Sequence, residues 1–343
     1  MHTRIHRPER FTPDELDGYL ARGWYRIGQT LMTCRFVLYD GVLRSAVWTR
    51  APLSSVQLGK SSKKLLQRND RRFRITSGPH VPDATREALY ERYVSWAKGD
   101  RPETLRQFLR GDGMSDVFRT QEIAIWDGDR LAGLSLFDLG RKSLQSLAGI
   151  FDPDFAEHSV GFYSLLLEIR HAQELGLEWH YAGYVLPGEP SMDYKLRVKG
   201  LEFLDPETSR WRPYVEIDPA RLPTDRLDRA LNAAAVALRT RGADPRIRLY
   251  PAFELGAYDP ALAYCLGEPM FVECNAAQRN DNTLIVTYDL EKHDYRLLRC
   301  LRAVARSHDP VENGRELALL VVYETLAQHH DPEMIAALAV GRS

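Results

Sequence analysis

A chain of 343 residues, 44% hydrophobic and 27% charged, has an ordinary globular composition and can bury a core as two domains or one large one. Its net charge of −1 excludes nucleic-acid binding driven by overall charge, so any basic surface must be local. The four cysteines, Cys34, Cys265, Cys274 and Cys300, are scattered without a C-x-x-C pair, which argues against a disulfide framework or a thiolate metal site. With no apolar run of eighteen residues and no signal-like core in MHTRIHRPERF, the expectation is a cytoplasmic protein without a membrane partner.

Residues 1–80 mix short apolar runs with turns and are read as an N-terminal subdomain, ending at Ser77-Gly78-Pro79-His80 and Pro82-Asp83. A second segment, 81–220, begins with a helix over 84–97, where Leu89, Tyr93 and Trp96 fall at helical spacing, and a short helix at 103–110. Two apolar runs around Asp127-Gly128 predict a β-hairpin, and SLQSLAGIF a third strand. Residues 159–175 predict a helix with Phe162, Leu165, Leu166, Ile169 and Ala172 on one face and Ser159 as N-cap. A strand at 178–184 follows. The fold class expected is α+β, a mixed sheet with packed helices, plus a C-terminal α+β extension over 221–343. That extension should hold a helix at 224–241 capped by Thr224 or Asp225, strands in RIRLYPAFEL, PMFVEC, TLIVTYDL and YRLLRC, and helix again at 314–328.

Three stretches carry candidate chemistry. Residues 60–74, KSSKKLLQRNDRRFR, hold seven basic residues against Asp70 alone, a stripe able to neutralise phosphates or simply to face solvent. The turn FDPDFAEHS places Asp152, Asp154 and Glu157 before a helix N-terminus, where a coenzyme A pyrophosphate would need basic or glycine-rich surroundings. A coenzyme A donor is therefore not expected. In GYVLPGEPSMDYKLR, residues 183–197, an aromatic strand hands over to a Pro- and Gly-rich turn that carries Tyr194 and Lys195. His158, His171 and His180 stand in no nucleophile or metal pattern; His171 and His180 are read as surface or packing residues, and no metal is expected.

GYVLPGEPSMDYKLR resembles the GY-x-x-x-x-x-P-x-M-x-YK signature of the aminoacyl-tRNA–protein transferases, which include the arginyl-tRNA–protein transferases and the bacterial aspartate/glutamate leucyltransferases. IFDPDFAEHSVGFYSLLLEI, KSSKKLLQRN and RGWYRIG resemble three further segments of that family in the same order. The resemblance spans roughly 15–215. It implies a GNAT-like transferase domain whose acyl donor is aminoacyl-tRNA, with no coenzyme A or metal, acting on an amine of a protein or peptide by ester aminolysis. Carried over residue by residue, it assigns Tyr184, Tyr194 and Lys195 to catalysis. Lys60, Lys63, Lys64 and Arg68 go to tRNA binding, and Asp152, Tyr163 and Met192 to structural or channel roles.

The chain departs from the family in two places. Only Cys34 stands where an N-terminal cysteine cluster is usual, and Ala148-Gly149 replace an aromatic. The acceptor half is thus expected to differ, and two alternatives stay open: the same donor chemistry on a small molecule or pathway-specific peptide, or an inactive RNA-binding adaptor. The sequence names neither the transferred amino acid nor the oligomeric state.

Overall fold

The computed structural model describes residues 2–97, 101–111, 116–275, 282–306 and 316–341. The chain divides into two compact units, one of residues 5–33 and 46–217, the other of 1–4, 34–45 and 218–343.

The first unit starts with α1 (Pro13–Ala21). Thr12 and Glu15 form a capping box there, and Pro13 occupies a position that needs no N–H donor. In chain order there follow β1 (Tyr25–Ile27), β2 (Val47–Pro52), α2 (Lys60–Asp70), β3 (Arg74–Pro79), α3 (Ala84–Trp96) and α4 (Leu105–Arg110). The predicted hairpin is β4 (Gln121–Asp127) and β5 (Arg130–Leu139), turning at Gly128 with φ of 60°. Then come β6 (Ser143–Phe151), α5 (Val160–Glu174), β7 (Trp179–Val185), β8 (Glu202–Leu204) and β9 (Trp211–Pro213). Eight strands form one sheet in the order β9-β8-β2-β7-β6-β5-β4-β3. All its neighbours are antiparallel except β6 and β7, which are parallel and joined through α5. Because β3 pairs with β4 along its whole length, the turn at 77–83 lies within this unit.

α5 buries the five predicted residues, Phe162, Leu165, Leu166, Ile169 and Ala172, in a core with Phe137, Leu144 and Ala182 of the sheet. Each such aliphatic or aromatic side chain contributes about 1.5–3 kcal/mol of burial. α5 also packs against α2 and against the 3₁₀ turn Pro190–Arg197. Three of the segments that carry the family resemblance therefore meet along one helix.

The sheet parts in its middle. β6 and β7 pair only at Ser143–Trp179, Leu144–His180 and Gln145–Tyr181. Beyond that point β6 stays with β5 as far as Phe151, while β7 stays with β2 as far as Val185, and both ladders shift register at the parting. A split between parallel strands leaves backbone groups without a ladder partner, and something else must satisfy them.

The second unit contains α6 (Pro223–Thr240), a five-stranded sheet and α7 (Pro332–Val340), besides the strand pair Phe36–Tyr39 and Val42–Ser45 and the short helix Leu255–Tyr258. The strands β10 (Arg246–Leu249), β11 (Met270–Glu273), β12 (Asn282–Asp289), β13 (Asp294–Arg306) and β14 (Glu316–His329) form one antiparallel sheet in that order. Leu227, Leu231, Ala235 and Leu238 of α6 and Ile335 and Ala336 of α7 close its core.

Several expectations are corrected. The helix expected at 314–328 is instead a strand over 316–329, residues 314–315 lying outside the described residues; it pairs with β13 from Tyr295–His329 to Arg306–Glu316, and this ladder overrides the helical propensity of its Leu, Ala and Glu residues. The strand at RIRLYPAFEL stops at Leu249, before Pro251 opens a 3₁₀ turn. α6 is preceded by Leu222 without a side-chain cap, so neither Thr224 nor Asp225 caps it. Ser159 does precede α5, but with φ of 51° it makes no capping bond. Trp96 lies 56% exposed, off the buried face of α3.

Candidate active site

Tyr184, Tyr194 and Lys195 come together where the sheet has parted. Tyr184 lies near the end of β7, half-buried, with its ring edge-on to Trp48 of β2 at 5.3 Å. Pro187, Gly188 and Pro190 turn the chain into the 3₁₀ segment Pro190–Arg197, which brings Lys195 back over β7. There the Lys195 Nζ donates to the Tyr184 carbonyl at 3.0 Å. Tyr194, 36% exposed, meets Phe162 of α5 edge-on at 6.4 Å, and Arg197 stacks on the other partner of that pair, 4.0 Å from the Phe162 ring. Met192 is half-buried in the same turn.

Burial lowers the Lys195 ammonium from its ordinary value of 10.5 to about 8, with the negative charge of Glu168 working in the opposite direction. Burial likewise holds the Tyr194 phenol well above its ordinary range. At neutral pH the site therefore presents a cation that parts with its proton readily, next to neutral phenols.

Tyr25, from the segment RGWYRIG, bridges the start of the split. Its hydroxyl donates to the carbonyls of Ser146 at 2.6 Å and Leu147 at 3.0 Å, replacing the ladder bonds that β7 no longer supplies. The Tyr25 ring lies against Gly183, where an added Cβ would sit 3.1 Å from Cε2, and φ of +80° there already favours glycine. The adjacent Arg26 is a buried structural cation, bonded to both Asp138 oxygens at 2.8 and 2.9 Å. Gly149 also has a local cause. An added Cβ would stand 2.7 Å from the Ser164 Oγ of α5, so the aromatic usual here has no room.

Other predicted residues lie elsewhere. α2 rests on its neighbours through Ser62, Leu65 and Asn69, and Lys60, Lys63, Lys64 and Arg68 point outward. Among the described residues, no ion pair engages Lys60, Lys63 or Lys64. Asp70, the single acid of the stripe, is engaged by the Tyr163 hydroxyl at 2.6 Å and by Arg170 at 2.8 Å. Tyr163 is thus fully buried and ties α5 to α2. Asn69 adds a bond from its Nδ2 to the His158 carbonyl at 2.8 Å.

Asp152 is 1% exposed and receives bonds from Arg92 at 3.1 Å and Arg130 at 2.7 Å; Arg130 also pairs with Asp154. Two of the three loop acids are therefore compensated. Glu157, the third, is exposed and lies 3.5 Å from the His158 Nε2.

His171 packs edge-on against Phe137 at 5.7 Å, as a packing residue should. His180 is 1% exposed, and its Nε2 meets the Glu168 Oε2 at 2.8 Å. Glu168 escaped the sequence reading, together with Ser135, Ser146, Trp48 and the role of Tyr25. A signal existed for Glu168: four residues after Ser164 and four before Ala172, it puts a carboxylate on the buried stripe of α5. A cavity of about 780 Å³, lined among others by Pro79, Glu87, Leu105, Leu109, Phe118 and Gln121, contains none of the predicted site residues. Among the described residues, no three His, Cys, Asp or Glu side chains gather as a metal site.

Residues 85–205 match the family model described as arginine-tRNA-protein transferase, C terminus. An aspartate/glutamate leucyltransferase of Acinetobacter baumannii is 32% identical over 166 residues, covering 47% of this chain and 60% of that protein. One from Leptospira interrogans is 24% identical over 216 residues, covering 62% of this chain and 82% of its own length. The chain thus spans about three fifths of the length of the curated relatives it first matches. A solved GCN5-related glucosamine N-acetyltransferase region of a fungal multi-domain β-N-acetylglucosaminidase aligns with a TM-score of 0.30 and 12% identity, over 55% of this chain and 21% of that one. The fold stands on the chain's own topology, which that score does not reach. Residues 85–205, which include Tyr184, Tyr194 and Lys195, are thus similar to the C-terminal part of the arginine-tRNA-protein transferases.

Proposed function

We propose that the protein transfers an amino acid, leucyl or arginyl, from charged tRNA to an amine of a protein or peptide. The observation that carries this reading is Lys195, placed beside Tyr184 and Tyr194 at the parting of β6 and β7 within the matched segment. The amine nitrogen attacks the ester carbonyl carbon. A C–N bond forms, the C–O bond to the terminal ribose breaks, and the proton lost by nitrogen ends on the ribose oxygen.

An α-amine with an ordinary pKa of about 8 is partly neutral near pH 7, so the enzyme's task is to orient it and stabilise the oxyanion. Lys195 has three N–H donors and uses one on the Tyr184 carbonyl, which leaves two for the oxyanion. Tyr194 offers a partly exposed ring for the terminal adenine and Tyr184 lines the path of the amine. Lys60, Lys63, Lys64 and Arg68 supply cations for the phosphates of the acceptor arm. In this reading aminoacyl-tRNA is the co-substrate, and neither coenzyme A nor a metal takes part.

The test is incubation with a charged tRNA pool and a panel of peptides differing in their N-terminal residue, read by mass. A peptide heavier by one leucyl or arginyl residue supports the reading. Acetylated product from acetyl-coenzyme A, with none from tRNA, contradicts it.

A further inference from the structure

Glu168 is a carboxylate in the middle of an apolar helix, 1% exposed, and three strands supply its partners. Ser135 of β5 and Ser146 of β6 both donate to Oε1, the second at 3.1 Å, and His180 of β7 meets Oε2 at 2.8 Å. A buried carboxylate survives only when its oxygens are satisfied in this way, and the arrangement costs more than an apolar residue would. Its location shows what it does. Gln145–Tyr181 is the last β6–β7 pair, and Ser146 is the next residue of β6. The Ser146 side chain is held by Glu168 and its carbonyl by the Tyr25 hydroxyl. His180 immediately precedes the register shift of β7, four residues before Tyr184.

We propose that Glu168 is the positioning residue of this site: joined to β5, β6 and β7 at once, it fixes the mouth of the split over which Lys195 is held. The kinetic half of this proposal rests on the transferase reading, and the titration half does not. The elements meeting here bring several titratable groups: Glu168 from α5, His180 and Tyr184 from β7, Tyr25 from β1, and Asp193, Tyr194 and Arg197 from Lys195's own turn. Of these, Glu168 is the group whose charge opposes the loss of the Lys195 proton. Without it, desolvation acts alone and the ammonium is lost at lower pH.

The experiment compares the wild type with Glu168→Gln, which keeps the size of the side chain and an acceptor oxygen but removes the charge. Competitive acetylation of Lys195 against pH, read by peptide mass, gives its titration midpoint without requiring any turnover. Single-turnover transfer against pH gives the alkaline limb. The midpoint and the limb should both move acidward by about one pH unit in Glu168→Gln, so that transfer above pH 8 falls about tenfold while tRNA affinity stays within about twofold.

If Glu168→Gln does not fold, Ser146→Ala replaces it. This variant keeps the charge but frees the carboxylate from β6, and should slow transfer with little change in the Lys195 midpoint. Superimposable titrations and transfer profiles for the wild type and Glu168→Gln, or wild-type transfer by Ser146→Ala, would reduce Glu168 to a packing residue and overturn the proposal. A shifted midpoint in a protein that transfers nothing would uphold the electrostatic role and remove the transferase reading instead.

Discussion

The two units use the same materials differently. In the unit of residues 218–343 the sheet is antiparallel throughout, and the β12–β13 ladder runs from Asn282–Leu301 to Asp289–Asp294 without a shift. Its core mixes aliphatic side chains with Tyr250, Phe253, Phe271 and Tyr295 and three cysteines, and burial raises the thiols of Cys274 and Cys300 to about 12, which keeps them protonated and inert. In the unit of residues 46–217 the sheet parts at β6 and β7, and buried polar groups gather there: Glu168, His180, Ser135 and Gln145. The antiparallel sheet also buries a carboxylate, Glu273, but it is paired with Arg248 and Arg302, whereas Glu168 is held by two serines and a histidine from three strands at an opening. The candidate site lies where the regular structure stops, beyond the last β6–β7 pair.

The largest expected effect is at Lys195. Lys195→Ala should slow single-turnover transfer by roughly a hundredfold or more, since an oxyanion-directed donor is removed. The protein should not be destabilised. Because the folded state holds Lys195 at about 8 against an ordinary 10.5, the unfolded chain binds more protons between those values and stability rises with pH across that window. Lys195→Met should therefore melt higher than wild type below pH 8, with the gain fading towards pH 10.5. Earlier melting combined with undiminished transfer would make the turn structural.

In the other unit Leu231→Ala, in the fully buried face of α6, should cost about 2–5 kcal/mol in denaturant unfolding and leave the alkaline limb of transfer unmoved in the folded fraction. A shifted limb would erase the distinction between the units. Between these, Lys63→Glu with Lys64→Glu should weaken tRNA binding several-fold and flatten its salt dependence, by roughly 0.9 in the log–log slope for each duplex phosphate that the protein no longer neutralises. An unchanged slope would return α2 to a solvated face. The smallest effect belongs to Tyr163→Phe. It removes the bond to Asp70 but leaves Arg170 on that carboxylate, and should cost about 1 kcal/mol of stability with transfer unchanged.

Much of this organisation was legible in the sequence, for physical reasons that vary by element. The α5 stripe and the β4–β5 hairpin announce themselves because periodicity and a Gly turn act locally. Residues 316–329 misled because Leu319, Leu320, Val321 and Val322 form a continuous apolar run, which periodicity cannot assign, and pairing with β13 decided it. Tyr194 and Lys195 were visible through their motif. The parting of the strands was not, because it depends on Tyr25 reaching Ser146 across 121 positions of sequence. Glu168 was visible as an anomaly on a buried stripe, but its meaning lay in the three strands that bond it. The loop at Asp152 is the opposite case: its charge is bare in the sequence and compensated in space by Arg92 and Arg130, which come from α3 and β5.

The central claim, that the ester is held where β6 and β7 part, has a direct measurement. A charged tRNA whose amino acid carries a bromoacetyl group on its amine would alkylate a nearby neutral lysine at about pH 8.5, where Lys195 is largely unprotonated. Peptide mapping should find the label on Lys195, and free uncharged tRNA should suppress it. A label confined to residues 218–343, or one that Lys195→Met does not diminish, would contradict the account.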